Sequence, residues 1–417
     1  MRMKTQLAVV FLAAALGSLA SVPEDKAAAP PVTAVENLTL QQAIEMADSL
    51  QPQIAEAKAL VEAAEGRARQ AGAFPNPDAI AGAQQLPLSG NRGNEREYVA
   101  GVGQTVPLSG RLGRAREAEL LDREVRARGL EVKRREIRKR VHSAFATALY
   151  QERAWQAQRE IVQNAAKAVT VTHARVEAGD ALKEDLARVE MELARAEVEA
   201  QRTESLREQA LVALRAAIGD ATLTVKSVAG SLDTTFEIPT LESLVANLTA
   251  QPEAALADAD LRARAARVDV AKSERIPDVK VELLYHRLEA GSANTFDLGL
   301  SIPLPLFDRN QGRLKEARAE QAAAEARARM TQNDLSTRLR VSYLQLTSAL
   351  ASSRTLKMEI LARADTVLKT AEARYAAGDI SLTELLPVRR DWAGVQLSYL
   401  ESLRDVMQAW GEVKTFQ

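Results

Sequence analysis

The stretch Pro277–Gly312 reads PDVKVELLYHRLEAGSANTFDLGLSIPLPLFDRNQG. Apolar residues occupy alternate positions from Val279 to Tyr285 and again from Phe296 to Ile302, and the residues between them are mostly polar or small. A period of two predicts two strands of about ten residues, joined at Gly291-Ser292 into a β-hairpin. A soluble sheet with two different faces would show the same pattern. The strand length also suits a tilted strand that crosses a bilayer.

The same arrangement occurs twice in the chain, about 200 residues apart. The matching landmarks are Gln51-Pro52 with Gln251-Pro252, Pro77-Asp78 with Pro277-Asp278, Pro107-Leu108 and Arg111 with Pro305-Leu306 and Arg309, and Arg175, Gly179-Asp180 and Leu186 with Arg374, Gly378-Asp379 and Leu385. In the first half, Ile80–Gln85 and Tyr98–Val106 flank the loop Gly90–Gly93 and predict a weaker copy of the hairpin. Matches in the same order predict two halves that build the same structure side by side.

A long segment without proline follows each hairpin, Arg111–Ala178 in the first half and Gly312–Ala377 in the second. Apolar residues keep helical spacing in both, which predicts helices of about 65 residues and roughly 100 Å. Each ends at a Gly-Asp pair, and shorter helices are expected to return over Lys183–Ile218 and Ser381–Trp410. Helices of this length must pack against one another, as in a wall of helices.

The first residues are typical of a secretory signal peptide. Met1–Lys4 is basic, Leu7–Leu19 is apolar, and small residues follow at Ser18–Ala20. The apolar run is shorter than the roughly 20 residues that a transmembrane anchor needs. The predicted organisation is a signal peptide at 1–20, an Ala/Pro-rich tether at 21–37, a first repeat at 38–218, a linker at 219–239 and a second repeat at 240–414, with β-hairpins near 78–107 and 278–305 and helix hairpins near 111–218 and 311–414.

Composition excludes several functional classes. The chain has no cysteine, which rules out disulfides, thiolate metal sites, a cysteine nucleophile and a lipidated N-terminal cysteine. Without Arg2 and Lys4 it carries 55 − 2 = 53 basic and 56 acidic residues, so no nucleic-acid partner is expected. We interpret His142, His173 and His286 as isolated, each without an acidic or histidine partner at ligand spacing, and predict neither a metal site nor a cofactor. Phosphate-binding loops and nucleophile motifs are missing as well, which argues against an enzyme.

Four stretches carry a resemblance to the TolC-like outer-membrane efflux proteins: Leu38–Ala43, Phe74–Pro77, Gln104–Leu108 and, most specifically, Ser301–Gly312. The last is similar to the CzcC-like branch, which exports heavy-metal cations with pumps of the RND type. The resemblance covers nearly the whole mature chain. It implies a mainly α-helical fold with a β-barrel part. Three chains would form one twelve-stranded barrel in the outer membrane of a Gram-negative cell, continued by a periplasmic α-helical barrel.

The resemblance also implies a gate at the periplasmic end of the second helix hairpin. The first acidic ring position falls on Glu384, and a partner carboxylate on the first tip falls on Asp185. The second ring acid of the family falls on Pro387, and its tethering arginine falls on Ile380. Three copies of Glu384 around a narrow axis would raise one another's pKa and favour cations. The alternative is that Glu384 is an ordinary solvated helix residue.

Two further groups of residues are expected from the resemblance. The helix tips are expected to contact a periplasmic adaptor through Arg175, Gly179, Asp180, Arg374, Gly378 and Asp379. Tyr98, Tyr285 and Phe296 are expected at the membrane interface, in contact with outer-membrane lipid. Ordinary turn chemistry and strand packing are the respective alternatives.

The function implied is a passive exit duct, docked to a periplasmic adaptor and an inner-membrane RND pump, with heavy-metal cations as the first expectation for the cargo. Export of organic toxins or drugs, or type I secretion of polypeptides, is the runner-up. A soluble periplasmic coiled-coil adaptor is a more distant alternative. The duplicated β-hairpins argue against it, because an adaptor normally has one helical hairpin.

Overall fold

The computed structural model describes residues 34–85, 96–220, 222–289 and 293–417. The expected signal peptide, the tether up to residue 33 and the turns at Gly90–Gly93 and Gly291-Ser292 lie outside these ranges. The described residues form nine α-helices: α1 Leu40–Leu50, α2 Pro52–Ala71, α3 Arg111–Glu177, α4 Lys183–Ile218, α5 Leu241–Ala246, α6 Pro252–Ser273, α7 Gln311–Thr355, α8 Ala362–Ala377 and α9 Leu382–Lys414. Their six strands are β1 Ala34–Val35, β2 Asp78–Gln84, β3 Glu97–Val106, β4 Thr224–Val225, β5 Val279–Leu288 and β6 Asn294–Ser301.

The two predicted hairpins join into one antiparallel sheet in the order β2-β3-β5-β6. The junction between the repeats is the pairing of β3 with β5, which runs from Glu97↔Leu288 to Val106↔Val279. The strands β2 and β6 are therefore the two edges of the sheet within one chain. The mainly helical fold with two repeats, each a β-hairpin and long antiparallel helices, is confirmed.

The register gives the sheet one mainly apolar face and one face with most of the charged and small residues. The apolar face carries Ala79, Ala81, Tyr98, Ala100, Val102, Leu283, Tyr285, Phe296, Leu298 and Leu300. Its side chains are largely uncovered, with Leu298 78% and Phe296 73% exposed. The opposite face carries Asp78, Glu97, Gly101, Gly103, Lys280, Glu282, His286, Asp297, Gly299 and Ser301, together with the apolar Ile80, Val99, Leu284 and Leu288, and is called the polar face below. An exposed apolar patch of this size indicates a surface that contacts a membrane or another protein.

The long helix α3 organises the packing of the first repeat. It has 67 residues and contacts α2, α4, α6 and α9 along its length. Its middle carries the fully buried side chains of Phe145 and Leu149, which belong to one core with Leu214 and Ile218 of α4. None of the helices in the described ranges is long and apolar enough to cross a membrane.

The second long segment differs from its prediction. One continuous helix over Gly312–Ala377 was expected, but α7 ends at Thr355 and a π-helical segment, Leu356–Leu361, precedes α8. The π segment contains neither glycine nor proline, so the residues that usually mark a helix irregularity are missing from it. Hydrophobic spacing alone does not reveal a locally wider turn.

The structure also corrects one landmark of the repeat. Both long helices begin after a residue with positive φ, Gly110 at 65° and Asn310 at 57°, which are 200 positions apart. Arg111, the first residue of α3, therefore corresponds to Gln311 and not to Arg309. Asparagine tolerates the left-handed region better than most residues, which explains the exchange of glycine for asparagine.

Buried His142 predicts a pH-dependent stability. The imidazole packs against Gly411, and burial together with the Lys414 charge lowers its pKa from 6.5 to about 4. The unfolded chain therefore takes up a proton near pH 6.5 while the folded chain stays neutral. We expect stability to be constant above pH 6.5 and to fall by about 3 kcal/mol towards pH 4.

The measurement is chemical denaturation of the detergent-solubilised protein between pH 4 and 7.5. Carboxylates titrate in the lower part of this range too, so the difference between variants is what matters. His142→Gln should remove the loss between pH 6.5 and 5. His173→Gln, at an exposed position, should leave it unchanged, and equal profiles for all three proteins would contradict the assignment.

Candidate functional site

The first helix tip closes through backbone hydrogen bonds. Beyond the end of α3, Gly179 adopts φ 84°, and the Asp180 N–H donates to the Arg175 carbonyl at 2.7 Å. This left-handed turn satisfies carbonyl groups that the last helical turn would otherwise leave open. The conformation requires glycine, because a β-carbon is disfavoured at positive φ.

The second tip repeats this geometry. Gly378 adopts φ 85°, and the Asp379 N–H donates to the Arg374 carbonyl at 2.9 Å. The sequence landmark therefore reflects one turn built twice. All six tip residues that were expected to meet an adaptor lie in these two turns or on the last helical turn before them.

The two helix tips of one chain contact each other in space, although they are about 200 residues apart in the sequence. Arg175 Nη1 donates to the Tyr375 hydroxyl at 3.3 Å, and the guanidinium lies 5.7 Å from the centre of that ring. Further along, Arg188 donates to the Thr383 hydroxyl, and Arg390 lies 3.5 Å from Glu192. These contacts connect α4 with α9. They link the two tips within one chain, and the replacement of a tethering arginine by Ile380 stays an expectation from the resemblance.

The Glu384 side chain caps the N-terminus of α9. Its carboxylate accepts hydrogen bonds from the Ser381 N–H at 2.8 Å and from the Ser381 hydroxyl at 3.0 Å. These two bonds, with a smaller contribution from the Arg374 charge, lower the pKa of Glu384 in the single chain. A raised pKa in a ring of three copies stays a prediction about the assembly. The sequence Ser381-Leu382-Thr383-Glu384 is a capping-box signature, which the sequence interpretation missed.

Asp185 occupies the matching position on the other returning helix. It lies in the first turn of α4, and its N–H donates to the Leu182 carbonyl at 3.1 Å. Carboxylates near a helix N-terminus are stabilised by the helix dipole. Asp185 and Glu384 therefore occupy the same position in the first turn of their helices, but of the two only Glu384 accepts capping hydrogen bonds.

A cavity of about 460 Å³ lies between the helices behind the tips. Its lining includes Val189 on α4 and Leu382, Leu385 and Trp392 on α9. The indole N–H of Trp392 donates to Asp365 at 2.5 Å, which joins α8 to α9. The cavity depends on contacts between distant segments, so no local sequence pattern indicates it.

The three predicted interface aromatics lie on the apolar face of the sheet, near the end that carries Glu97 and Asn294, which is called the loop end below. The rings of Tyr285 and Phe296 are 5.3 Å apart, and the Tyr285 hydroxyl donates to Asn294 at 2.8 Å. Tyr98 lies on β3, on the same face. Phe307, past the opposite end of β6, is 92% exposed and was not among the predicted interface aromatics.

The interpretation of the histidines as isolated was wrong for two of them. His286 Nδ1 lies 2.5 Å from a Glu97 oxygen, and its Nε2 lies 3.3 Å from an Asp297 oxygen. His173 lies 3.6 Å from Glu177, a spacing of four that the sequence already shows. The partners of His286 come from other strands, so only the register reveals them. Among the described residues, no three histidine, aspartate or glutamate side chains converge as metal ligands.

Comparison with known families identifies this architecture. The model of the family described as outer membrane efflux protein matches residues 43–220 and 244–415. The chain belongs to the outer membrane efflux protein family. The two matched segments cover the two repeats, each with its hairpin and its helix tip. The chain is accordingly an outer-membrane efflux channel with a periplasmic helical extension, and its family is one of channels and not of enzymes.

Individual relatives extend this result. The cobalt-zinc-cadmium resistance protein CzcC of Cupriavidus metallidurans is 28% identical over 379 residues, covering 91% of this chain and 90% of the relative. The nickel-cobalt-cadmium resistance protein NccC of Alcaligenes xylosoxydans xylosoxydans is 28% identical over 331 residues, covering 77% and 70%. A solved structure of CusC superimposes with a TM-score of 0.76 at 16% identity, covering 90% of this chain and 91% of that one, which shows the fold. The family implies a trimeric channel in a tripartite efflux system.

Proposed function

We propose that the chain is the passive exit duct of an RND-type tripartite exporter and that its cargo is a divalent heavy-metal cation. The observation that carries the cargo is the similarity to the cobalt-zinc-cadmium resistance protein over 91% of this chain. Export of organic compounds or polypeptides is the second candidate, because a duct selects weakly and the pump chooses the cargo.

The open sheet edges support the trimer. A strand edge in a bilayer leaves backbone N–H and C=O groups without partners, which is too costly in hydrocarbon. In a ring, β6 of one chain would pair with β2 of the next, and three four-stranded sheets would close a twelve-stranded barrel. The apolar face would then meet lipid, with Tyr98, Tyr285 and Phe296 at one interface.

The polar face of the sheet would line the pore. Its described strand residues include the carboxylates of Asp78, Glu97, Glu282 and Asp297 against one lysine, Lys280. Three copies give the lining an excess of negative charge, which attracts cations. This charge supports a cationic cargo independently of the similarity to the resistance proteins.

The helix tips are the proposed place of docking and gating. The exposed Gly-Asp turns, with Arg175 and Arg374, would contact the helical tips of a periplasmic adaptor that also binds the inner-membrane pump. Glu384 and Asp185 would lie close to the axis and attract cations at the entrance. Because the Glu384 carboxylate caps α9, drawing it towards the pore would compete with its hydrogen bonds to Ser381.

The cargo is tested by tolerance to Zn, Co, Cd, Ni, Cu and Ag, beside dyes and antibiotics, in a strain that lacks the gene. We expect sensitivity confined to divalent metals and its rescue by the wild-type gene. Rescue by Glu384→Ala should be weaker than rescue by Glu199→Ala, an exposed glutamate in the body of α4. Sensitivity to organic compounds alone would keep the duct and overturn the metal cargo.

A further inference from the structure

His286 lies on the polar face of the sheet between two carboxylates from neighbouring strands. It pairs with Val99 on β3 and with Thr295 on β6. Glu97 and Asp297 each lie two residues from those partners, which makes them diagonal neighbours of His286 on the same face. The cluster is close to the loop end of the sheet and belongs to both repeats.

Glu97 orients the imidazole through its contact with Nδ1. Its Oε1 lies 2.5 Å from His286 Nδ1, and the two side chains are only 14% and 12% exposed. An ionised carboxylate only accepts hydrogen bonds, so this contact favours the tautomer with the proton on Nδ1. In the neutral ring Nε2 then carries a free lone pair.

The Nε2 atom faces Asp297 without a hydrogen bond to it. This nitrogen is buried and has no hydrogen-bond partner among the described residues, although Asp297 Oδ2 lies 3.3 Å away. Metal–nitrogen distances of about 2.0–2.1 Å and metal–oxygen distances of about 2.0–2.2 Å place two ligands of a tetrahedral ion roughly 3.3–3.5 Å apart. The two donor atoms are therefore already at the separation that a shared ion requires.

We propose that His286 Nε2 and Asp297 Oδ2 bind a divalent transition-metal ion on the pore-facing side of the barrel, with water as the remaining ligands. Glu97 acts as the outer carboxylate that orients the imidazole, as in carboxylate–histidine–zinc arrangements. The inference deepens the proposed function, because it rests on a cationic cargo. It adds a specific place on the exit route where the cargo is held in passing.

Two protein ligands suit a transit site. Passage requires binding strong enough to attract the ion and weak enough to release it. Asp297 is 63% exposed, so one side of the site is open for water exchange. At the other end of the same face, Lys280 lies 2.9 Å from Glu282 and 3.6 Å from Asp78, and its charge offsets those carboxylates. The histidine cluster is thus the better place for a cation on this face.

The experiment is calorimetric titration of the purified, tag-free, metal-stripped protein in detergent at pH 7.5 with ZnCl₂ and CdCl₂. We expect one weak site per chain that is missing in both His286→Asn and Asp297→Asn. Glu97→Gln should retain the site with about 10–100-fold lower affinity. His173→Asn, which alters the exposed pair with Glu177, is the matched control and should bind as the wild type does.

Wild-type binding in His286→Asn and Asp297→Asn would overturn the site. So would absence of binding in the wild type, which would leave His286 as a structural link between β3 and β5. Asp297 is mostly exposed, so its substitution tests the site without disturbing packing. If the titration shows no binding but the strain that lacks the gene is sensitive to metals, only this site is refuted. If the titration shows binding but that strain is sensitive to organic compounds alone, the metal cargo is refuted.

Discussion

Leu298→Arg is expected to remove most of the assembled channel from the outer membrane. Leu298 is 78% exposed at the middle of β6, on the apolar face of the sheet. An arginine on the lipid face of a barrel costs about 2–4 kcal/mol near the bilayer midplane, and a trimer would carry three. The measurement is the amount of detergent-extracted trimer in the outer-membrane fraction, together with its thermal stability.

Gly299→Arg is the matched control for this prediction. Gly299 is the next residue along the strand and faces the opposite side, where a β-carbon would lie 3.6 Å from Glu282 Cβ. The same arginine there would meet a carboxylate and water, so we expect normal assembly and a changed preference for ions. Equal loss in both variants, or loss only in Gly299→Arg, would show that the assignment of the two faces is wrong.

The sequence predicted the parts of the fold that depend on local pattern. Alternating apolar residues gave the faces of β5 and β6, because a period of two leaves little freedom once the register is set. The Gly-Asp pairs at Gly179 and Gly378 marked both helix ends, because a left-handed turn favours glycine strongly. Four landmarks that each recur once, about 200 residues later and in the same order, made the duplication visible.

Features that depend on pairing between distant segments stayed hidden. The contact of Glu97 with His286 joins residues 189 positions apart, and only the register between β3 and β5 brings them together. The π-helical segment Leu356–Leu361 has ordinary helix-forming residues, so its composition gave no indication. The cap on Glu384 is a different case, since its four-residue signature is local and could have been recognised.

A buried ion pair holds the body of the first helix hairpin together. Arg207 Nε on α4 donates to Glu152 on α3 at 2.6 Å, and both side chains are nearly covered, at 13% and 8% exposed. The same guanidinium donates to the Lys226 carbonyl at 2.6 Å and lies 4.9 Å from the Trp155 ring centre. One side chain therefore links α3, α4 and the segment after β4.

Arg207→Met is expected to destabilise the protein by about 3–5 kcal/mol, because it leaves the Glu152 carboxylate buried without its cation. Adding Glu152→Leu should restore much of the loss, since the cost comes from the unpaired charge more than from the missing attraction.

Arg202→Met is the comparison, because its 3.7 Å contact with Glu199 is between mostly exposed side chains and should change stability by less than about 1 kcal/mol. Denaturation in detergent followed by tryptophan fluorescence measures all three, since Trp155 lies beside the pair. If Arg207→Met and Arg202→Met proved equally mild, the pair would be solvated in the assembled channel and the helix hairpin would depend on its apolar core alone.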